Sequence, residues 1–285
     1  MIDLKHRVAT LRTRVERSLR RRLRQSENPG RGLDVRPDDT FIVSYPKSGN
    51  TWTRFLVASL LHPSSPTDFS NIDERCPTIY KASTTELAAL PGPRVLKSHE
   101  YFDPRYRRAI YIVRDPRDVL VSYFHYQHRK GFIDASVDLP RFADDFLAGR
   151  LNSFGTWQEN VASWFAARGE RSDFLLLRYE EMLANPTSQL TRIARFLEHS
   201  ITEQELARVV ESCSFERMRA LESSTGSKSR HMRAAREDIG FVRKGKSGGW
   251  QQEVPPAVIA KLEAAWGPLI TRLGYALSKS SRVGS

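Results

Sequence analysis

Short apolar runs alternate with amphipathic segments through most of the chain. The apolar runs that predict strands are Phe41–Val43, Ala109–Val113 and Phe174–Leu177. The segments with helical spacing that follow them are Thr51–Leu61, Pro116–Tyr126 and the residues after Asn185-Pro186. Continuous apolar strands that lead into helices are typical of a parallel sheet covered on both faces. The pattern therefore predicts an α/β fold, a three-layer α/β/α arrangement with a central parallel sheet.

Two prolines mark the expected starts of the second and third helices. Pro116 and Pro186 suit the first helical position, where a missing N–H removes no intrahelical bond. Asp115 and Asn185 precede them, and we expect both side chains to cap these helices. The last helix has one apolar face, formed by Val258, Leu262, Ala265, Trp266, Leu269, Ile270 and Leu273, and Gly274 then supplies a stop.

Residues 1–25 form a different kind of segment, which is both basic and amphipathic. Its apolar residues recur every three or four positions, at Leu4, Val8, Leu11, Val15, Leu19 and Leu23. It carries nine Lys or Arg residues against two acidic ones, and so holds most of the chain's formal net charge of +12. Such a helix could make peripheral contact with an anionic membrane or pair with a partner helix, and it could equally dock on its own domain.

A cluster of Pro and Gly at 28–32 separates this segment from the rest of the chain. We expect residues 1–33 to form an N-terminal arm and residues 34–285 to form a single domain, since a chain of 285 residues can bury one large core. No apolar run reaches the roughly eighteen residues of a membrane span. Cys76 and Cys213 match no disulfide or metal spacing. We therefore expect a cytoplasmic location.

The segment Tyr45–Trp52 holds the most specific chemistry. It reads Tyr-Pro-Lys-Ser-Gly-Asn-Thr-Trp and lies between a predicted strand and a predicted helix. Unpaired N–H groups at a helix N-terminus collect phosphate-like oxygens, and Lys47 adds a full positive charge there. The lysine precedes the glycine, so the spacing differs from that of a Walker A loop. The segment predicts a P-loop-like anion site.

This octapeptide resembles the loop of the sulfotransferases that use 3′-phosphoadenosine 5′-phosphosulfate (PAPS). Further matches follow in the family's order from about Asp39 to Tyr275, and the chain is similar to the cytosolic-type domain. The resemblance implies that PAPS is the cofactor and that the loop holds its 5′-phosphosulfate. The loop residues it assigns to the cofactor are Lys47, Ser48, Gly49, Asn50, Thr51 and Trp52.

A second strand-to-helix junction carries Arg114 and Ser122. Arg114 stands where a strand is expected to end, at the sheet edge that forms the ligand crevice of doubly wound folds. A guanidinium there can hold a phosphate with two parallel hydrogen bonds. The alternative is a surface arginine paired with Asp115 or Asp118. The resemblance implies that Arg114 and Ser122 bind the 3′-phosphate of PAPS.

A third match lies at Phe241–Trp250, where two cations precede three glycines. The resemblance assigns Arg243, Lys244 and Gly245 to the 3′-phosphate, although Gly249 and Gln251 depart from the family's pattern. It assigns the adenine to four side chains with aromatic or small character, Trp52, Tyr179, Ser214 and Phe215. Aromatic faces suit that role because a purine stacks on them.

Lys97-Ser98-His99 follows the apolar pair Val95-Leu96 and looks like the family's Lys-Thr-His. A histidine titrates near neutrality and can take a proton from an attacking hydroxyl. The resemblance therefore makes His99 the catalytic base of an in-line sulfuryl transfer. Lys47 is expected to neutralise the leaving phosphate, and Lys97 to assist at the sulfuryl oxygens.

The expected acceptor is a small molecule with a hydroxyl group. Ile79, Tyr80, Phe102, Tyr106, Phe124 and Phe154 lie in segments that line the family's acceptor pocket. Their character favours a phenol or an alcohol on a largely apolar skeleton, while nearby charges leave a sugar or a lipid open. We expect no nucleic-acid partner and no metal, and the sequence leaves the oligomeric state open.

Two alternatives come from other classes of protein. A nucleotide-kinase-like phosphotransferase would share the phosphate loop and parallel sheet, but it predicts a Walker A spacing that is absent. A non-catalytic basic protein that binds membranes or nucleic acid would explain residues 1–25, but it leaves Lys47, His99 and Arg114 as coincidences.

Overall fold

A parallel sheet of four strands organises the chain in the computed structural model, which describes residues 32–169, 171–225 and 245–278. The strands are β1 (Thr40–Ser44), β2 (Val95–Ser98), β3 (Arg108–Val113) and β4 (Phe174–Arg178), in the order β2-β1-β3-β4. Every pairing is parallel. The predicted α/β class is confirmed.

Helices connect the strands and cover both faces of the sheet. They are α1 (Asn50–Leu61), α2 (Ile72–Arg75), α3 (Thr84–Ala89), α4 (Pro116–Arg129), α5 (Leu139–Leu147), α6 (Trp157–Arg168), α7 (Tyr179–Ala184), α8 (Pro186–Phe196), α9 (Glu203–Ser212), α10 (Phe215–Thr225), α11 (Trp250–Glu253) and α12 (Pro256–Arg272). The predicted segments Phe41–Val43, Ala109–Val113, Phe174–Leu177, Thr51–Leu61 and Pro116–Tyr126 lie within these bounds, and the last helix ends at Arg272, one residue before the last predicted apolar position, Leu273.

Alternate residues of each strand enter two separate cores. Phe41 and Val43 of β1 pack with α4, α5, α6 and α12, whereas Ile42 packs with α1, α8 and α9. All three side chains are fully buried. Burying such a side chain contributes about 1.5–3 kcal/mol. Because both faces are covered, the strands are continuously apolar, and this explains the pattern in the sequence.

The two predicted caps have different outcomes. The Asp115 carboxylate accepts a hydrogen bond from the Arg117 N–H, so this cap is confirmed. The Asn185 side chain makes no capping bond, so that prediction is wrong. Asn185 ends α7, its N–H donates to the Glu181 carbonyl, and α8 begins at the next residue. The chain therefore passes from helix to helix through Asn185 without a free turn in which its side chain could cap.

The topology gathers three chain segments at one edge of the sheet. β1 lies between β2 and β3, and the carboxyl ends of parallel strands meet at the same edge. The Tyr45–Gly49 turn leaves β1 there, His99 follows β2, and Arg114 follows β3. The turn therefore lies between the imidazole and the guanidinium.

Parts of the predicted arm and of the third motif cannot be placed. Residues 1–31, which include the basic amphipathic segment 1–25, lie outside the described residues, and so do Arg243 and Lys244. Within the described ranges no helix is long and apolar enough to cross a bilayer. Cys76 and Cys213 are both buried free thiols.

Candidate active site

The turn between β1 and α1 has an unusual backbone. Lys47 and Gly49 both adopt left-handed conformations, with φ of 72° and 100°. For a residue other than glycine this conformation costs about 1–2 kcal/mol, and such strain is concentrated at functional sites. The turn leads directly into the twelve-residue helix α1, whose first N–H groups lie at the positive end of the helix dipole. This geometry suits an anion.

Tyr179 packs so closely on this turn that only glycine fits at position 49. A Cβ atom on Gly49 would lie 2.5 Å from Cδ2 of Tyr179. The same ring meets Trp52 edge to face at 6.0 Å between centroids and lies 4.4 Å from the Arg114 guanidinium carbon. The start of α7 therefore brings Tyr179, Trp52 and Arg114 together around the turn.

Arg114 is buried and bridges two chain segments. Its Nη1 donates to the Lys47 carbonyl at 3.2 Å and its Nη2 to the Lys246 carbonyl at 3.4 Å. Among the described residues it forms no salt bridge with a carboxylate: Asp115 pairs with Arg117 at 2.6 Å, and both carboxylate oxygens of Asp118 accept main-chain N–H groups. Its buried Nε and the fully buried Ser48 hydroxyl also lack partners within the same ranges. Buried polar groups are normally satisfied, so these atoms fit a ligand that brings anionic oxygens.

The residues assigned to adenine lie close to the third motif. The Trp52 indole N–H donates to the Cys213 carbonyl at 2.8 Å, which ties α1 to the residue before Ser214. Phe215 begins α10 and packs on Gly245, where a Cβ would lie 2.3 Å from the Phe215 ring. Gly245 also has a left-handed φ of 58°.

The remaining cofactor assignments fall on the first turns of α1 and on α4. Asn50 is buried, and its amide donates to the Ile42 carbonyl and to the Ser44 hydroxyl, both at 3.2 Å. Thr51 is half-buried beside it, and Ser122 is half-buried on α4. Asn50 thus fixes the end of β1 to the start of α1.

The His99 ring is held in one tautomer. Its Nδ1 lies 2.7 Å from the Ser44 carbonyl, which can only accept, so Nδ1 carries the proton and Nε2 keeps its lone pair. Burial and the positive charge of Lys97 lower the pKa of His99 well below its ordinary value of 6.5. The ring is therefore neutral at physiological pH, as a proton acceptor must be.

Two aromatic rings flank His99. The Tyr80 ring is nearly parallel to the imidazole at 6.3 Å, and the Phe154 ring lies at 5.5 Å. The Tyr80 hydroxyl also accepts the His99 backbone N–H at 2.8 Å. Of the other expected acceptor residues, Ile79 and Tyr106 are fully buried in the core, Phe102 packs on Trp164 and Phe124 packs on Phe142. The rings next to the imidazole are thus those of Tyr80 and Phe154.

Two lysines lie within electrostatic reach of His99. Lys97 is buried in β2, and burial together with the charges of Arg54 and Lys81 lowers its pKa to about 7. The Lys47 ammonium lies 4.3 Å from the centre of the Tyr126 ring. The charges of both lysines contribute to the low pKa of His99.

Asn160 on α6 supports the site and was not found from the sequence. Its amide donates to the His99 carbonyl at 3.0 Å and to the Phe154 carbonyl at 3.4 Å, while its oxygen accepts from the Tyr111 hydroxyl at 2.8 Å. An asparagine inside an amphipathic helix gives no local signal of this role. Among the described residues no group of three or more His, Cys, Asp or Glu could hold a metal ion.

Comparison with known proteins gives one family. The sulfotransferase domain matches residues 37–274. An amine sulfotransferase of Oryctolagus cuniculus is 27% identical over 78% of this chain and 77% of its own length. Sulfotransferase 1B1 of Canis lupus familiaris is 30% identical over 76% of this chain and 78% of its own. Cytosolic sulfotransferase 17 of Arabidopsis thaliana is 29% identical over 86% of this chain and 78% of its own length.

Solved structures share the fold. A mouse sulfotransferase complexed with adenosine 3′,5′-bisphosphate (PAP) superposes with a TM-score of 0.67 at 26% identity, and the match covers 84% of this chain and 86% of the mouse chain. Retinol dehydratase, in complex with androsterone and PAP, superposes with a TM-score of 0.73 at 22% identity, covering 92% and 88%.

We predict that Gly49→Ala is much more destabilising than Gly131→Ala. Both positions have left-handed φ, but a Cβ at Gly131 meets no atom within 4 Å, whereas at Gly49 it meets Tyr179. The expected losses in the free energy of unfolding are about 3 kcal/mol at Gly49 and about 1 kcal/mol at Gly131. Denaturant unfolding measures both, and equal losses would mean that Tyr179 does not pack on the turn.

Proposed function

Because the chain belongs to the sulfotransferase family, we propose that it transfers the sulfuryl group of PAPS to a hydroxyl group of a small-molecule acceptor. The observation that carries this proposal is a neutral His99, held with Nε2 available at the sheet edge beside a strained anion-binding turn. A base and an anion site side by side are what this transfer requires.

The proposed donor site uses the residues around the β1–α1 turn. The partnerless buried hydroxyl of Ser48 and Nε of Arg114 support an anionic ligand at this place. We assign the 5′-phosphosulfate to Lys47, Ser48, Gly49, Asn50 and Thr51, the adenine to Trp52, Tyr179, Ser214 and Phe215, and the 3′-phosphate to Arg114, Ser122, Arg243, Lys244 and Gly245. PAP in the related mouse structure supports a donor of this class.

The chemistry follows from the placement of three side chains. PAPS supplies the sulfuryl group and a phosphate leaving group. His99 Nε2 takes the hydroxyl proton as the acceptor oxygen bonds to sulfur and the bond between sulfur and the bridging phosphate oxygen breaks. Lys47 neutralises the charge that collects on that phosphate, and Lys97 stabilises the sulfuryl oxygens. Fixed cations act strongly here because the site is buried and needs no reorganisation.

The acceptor is best described as a phenol or an alcohol on a largely apolar skeleton. Two aromatic rings, those of Tyr80 and Phe154, lie beside the imidazole. Such ring faces suit a planar or apolar acceptor. The androsterone held by retinol dehydratase is an acceptor-sized molecule of this character. A sugar or a lipid hydroxyl is the second candidate. Membership of the family argues against the phosphotransferase and against the non-catalytic alternatives.

The organisation of the chain completes the proposal. We assign residues 34–285 to one catalytic domain and residues 1–33 to an arm whose basic amphipathic segment contacts a membrane surface, a partner helix or the domain itself. The proposed location is the cytoplasm, which is supported by the cytosolic relative in Arabidopsis thaliana. We propose no nucleic-acid partner, because the proposed acceptor is a small molecule.

We predict that His99→Ala lowers turnover by about a hundredfold to ten-thousandfold, because it removes the general base. Its affinity for adenosine 3′,5′-bisphosphate should stay close to that of the natural protein, since His99 faces the acceptor. His199→Ala, in the turn after α8, is the matched control and should retain full turnover. The assay is mass spectrometry of a panel of phenols and alcohols incubated with PAPS. Full activity of His99→Ala would contradict the proposed mechanism.

We predict that Arg114→Ala removes discrimination for the 3′-phosphate. Loss of two charge-assisted hydrogen bonds should weaken the binding of adenosine 3′,5′-bisphosphate on the order of a hundredfold. The binding of adenosine 5′-phosphosulfate, which lacks the 3′-phosphate, should weaken far less. Arg171→Ala removes an exposed guanidinium paired with Asp173 and serves as the control. Calorimetry measures both ligands. Equal binding of the two nucleotides by the natural protein would refute the assignment.

We predict that the protein takes up a proton at Lys97 when it binds adenosine 3′,5′-bisphosphate at pH 8. With a pKa of about 7, Lys97 is mostly neutral in the free protein at pH 8, and a bound polyanion favours its charged form. Uptake should therefore approach about one proton at pH 8 and vanish near pH 6, where the lysine is already charged. Calorimetry in buffers with different ionisation enthalpies measures it. Lys97→Met should lose the uptake, and identical values for both proteins would exclude Lys97 as its source.

A further inference from the structure

The segment Gly245–Trp250 is attached to the donor site at several points. Gly245 lies against the Phe215 ring, and the Lys246 carbonyl accepts a hydrogen bond from Arg114. At its far end the Trp250 ring is 3.9 Å from the Arg117 guanidinium carbon. The position of this segment therefore decides where one of the two carbonyl partners of Arg114 stands.

Asp118 fastens the middle of this segment to α4. Its Oδ2 accepts the Gly248 N–H at 2.7 Å, and its Oδ1 accepts the Trp250 N–H at 3.1 Å. The residue is only 3% exposed. Both carboxylate oxygens are thus used for main-chain N–H groups, and bonds from N–H groups to a charged acceptor are among the stronger ones in proteins.

The charge of Asp118 is unfavourable for the function of its neighbour. Asp118 lies in the first turn of α4, where burial raises the pKa of its carboxyl above the ordinary value although the nearby positive charge of Arg114 acts to lower it. A carboxylate beside a phosphate-binding arginine repels the phosphate. Electrostatics alone would therefore favour a neutral residue at this position, and the two N–H contacts give the carboxylate a different purpose.

We propose that Asp118 is a positioning residue for the 3′-phosphate site, where it fixes the Gly245–Trp250 segment so that the Lys246 carbonyl holds the Arg114 guanidinium in place. Asp118 touches neither the donor nor the acceptor. It acts through the main chain of the segment and through Arg114. The inference rests on the proposed function, because it deepens the account of the same donor site.

The two effects of Asp118 predict opposite results for Asp118→Asn. The amide keeps one acceptor oxygen, so the variant loses one main-chain bond and one negative charge with little change in volume. If charge dominates, adenosine 3′,5′-bisphosphate binds more tightly. If positioning dominates, it binds about tenfold more weakly, the size expected for the loss of one hydrogen bond to a charged group. We expect the weaker binding, with the affinity for adenosine 5′-phosphosulfate unchanged.

Two further variants make the experiment decisive. Gly248→Ala leaves Asp118 intact but strains a turn with φ of 78°, where a Cβ meets no atom within 4 Å. This variant should weaken the binding of adenosine 3′,5′-bisphosphate and leave the binding of adenosine 5′-phosphosulfate unchanged. It tests the proposal even if Asp118→Asn does not fold. Asp144→Asn removes an exposed carboxylate that pairs with Lys261, and it should leave both affinities unchanged.

Calorimetry with both nucleotides on the full chain gives the ratio that tests the proposal. Tighter bisphosphate binding by Asp118→Asn, or an unchanged ratio in a folded variant of Asp118 or Gly248, would overturn the positioning role. If the unsubstituted protein itself does not distinguish the two nucleotides, the proposed donor site fails instead. A general loss of stability would weaken the binding of both nucleotides equally and would not change the ratio of their affinities.

Discussion

The active site depends on the parallel pairing of β1 with a strand on each side. The register sets Val43 opposite Ser98 of β2 and opposite Tyr111 of β3, so the three strands end nearly level. Adjacent strands lie about 4.8 Å apart, so groups that leave neighbouring strand ends can reach one ligand. The main-chain hydrogen bonds of the sheet bring the Tyr45–Gly49 turn, His99 and Arg114 to the same edge. Side chains then refine positions that the sheet has already determined.

The second constraint is electrostatic. Both Lys97 and Arg114 are buried, and Lys47 lies in the Tyr45–Gly49 turn between their strands. Burial of positive charge is costly, as the pKa of about 7 for Lys97 reflects. Burial and the charges of Lys97 and Lys47 lower the pKa of His99, so in the proposed mechanism the cations that would attract an anionic donor also keep the base unprotonated. A donor with several phosphate oxygens offsets the cost and completes the site.

Local sequence patterns predicted three of the four strands, β1, β3 and β4, together with the turn and the Asp115 cap, because each depends on residues close together in the chain. They could not reveal Asn160 or Asp118, whose partners lie 61 and up to 132 positions away. They also missed the reason for Gly49, which is the Tyr179 ring across the site as well as the backbone angle. Asn185 failed as a cap because an unpredicted helix, Tyr179–Ala184, reaches it. Long-range contacts account for Asn160, Asp118 and Gly49, whereas the failure at Asn185 has a local cause, the helix that ends there.

The contacts of His99 separate the chemistry from the choice of acceptor. Its ring is tied to the Ser44 carbonyl and its own carbonyl to the Asn160 amide, so the base is held largely through main-chain groups. The side chain of Phe154 contributes only a ring face, and its replacement leaves the main-chain contacts of the imidazole in place. Tyr80 differs, since its hydroxyl holds the His99 N–H while its ring flanks the base. In the proposed mechanism, substitution of Phe154 would therefore change the acceptor without disturbing His99, whereas substitution of Tyr80 would disturb His99 as well.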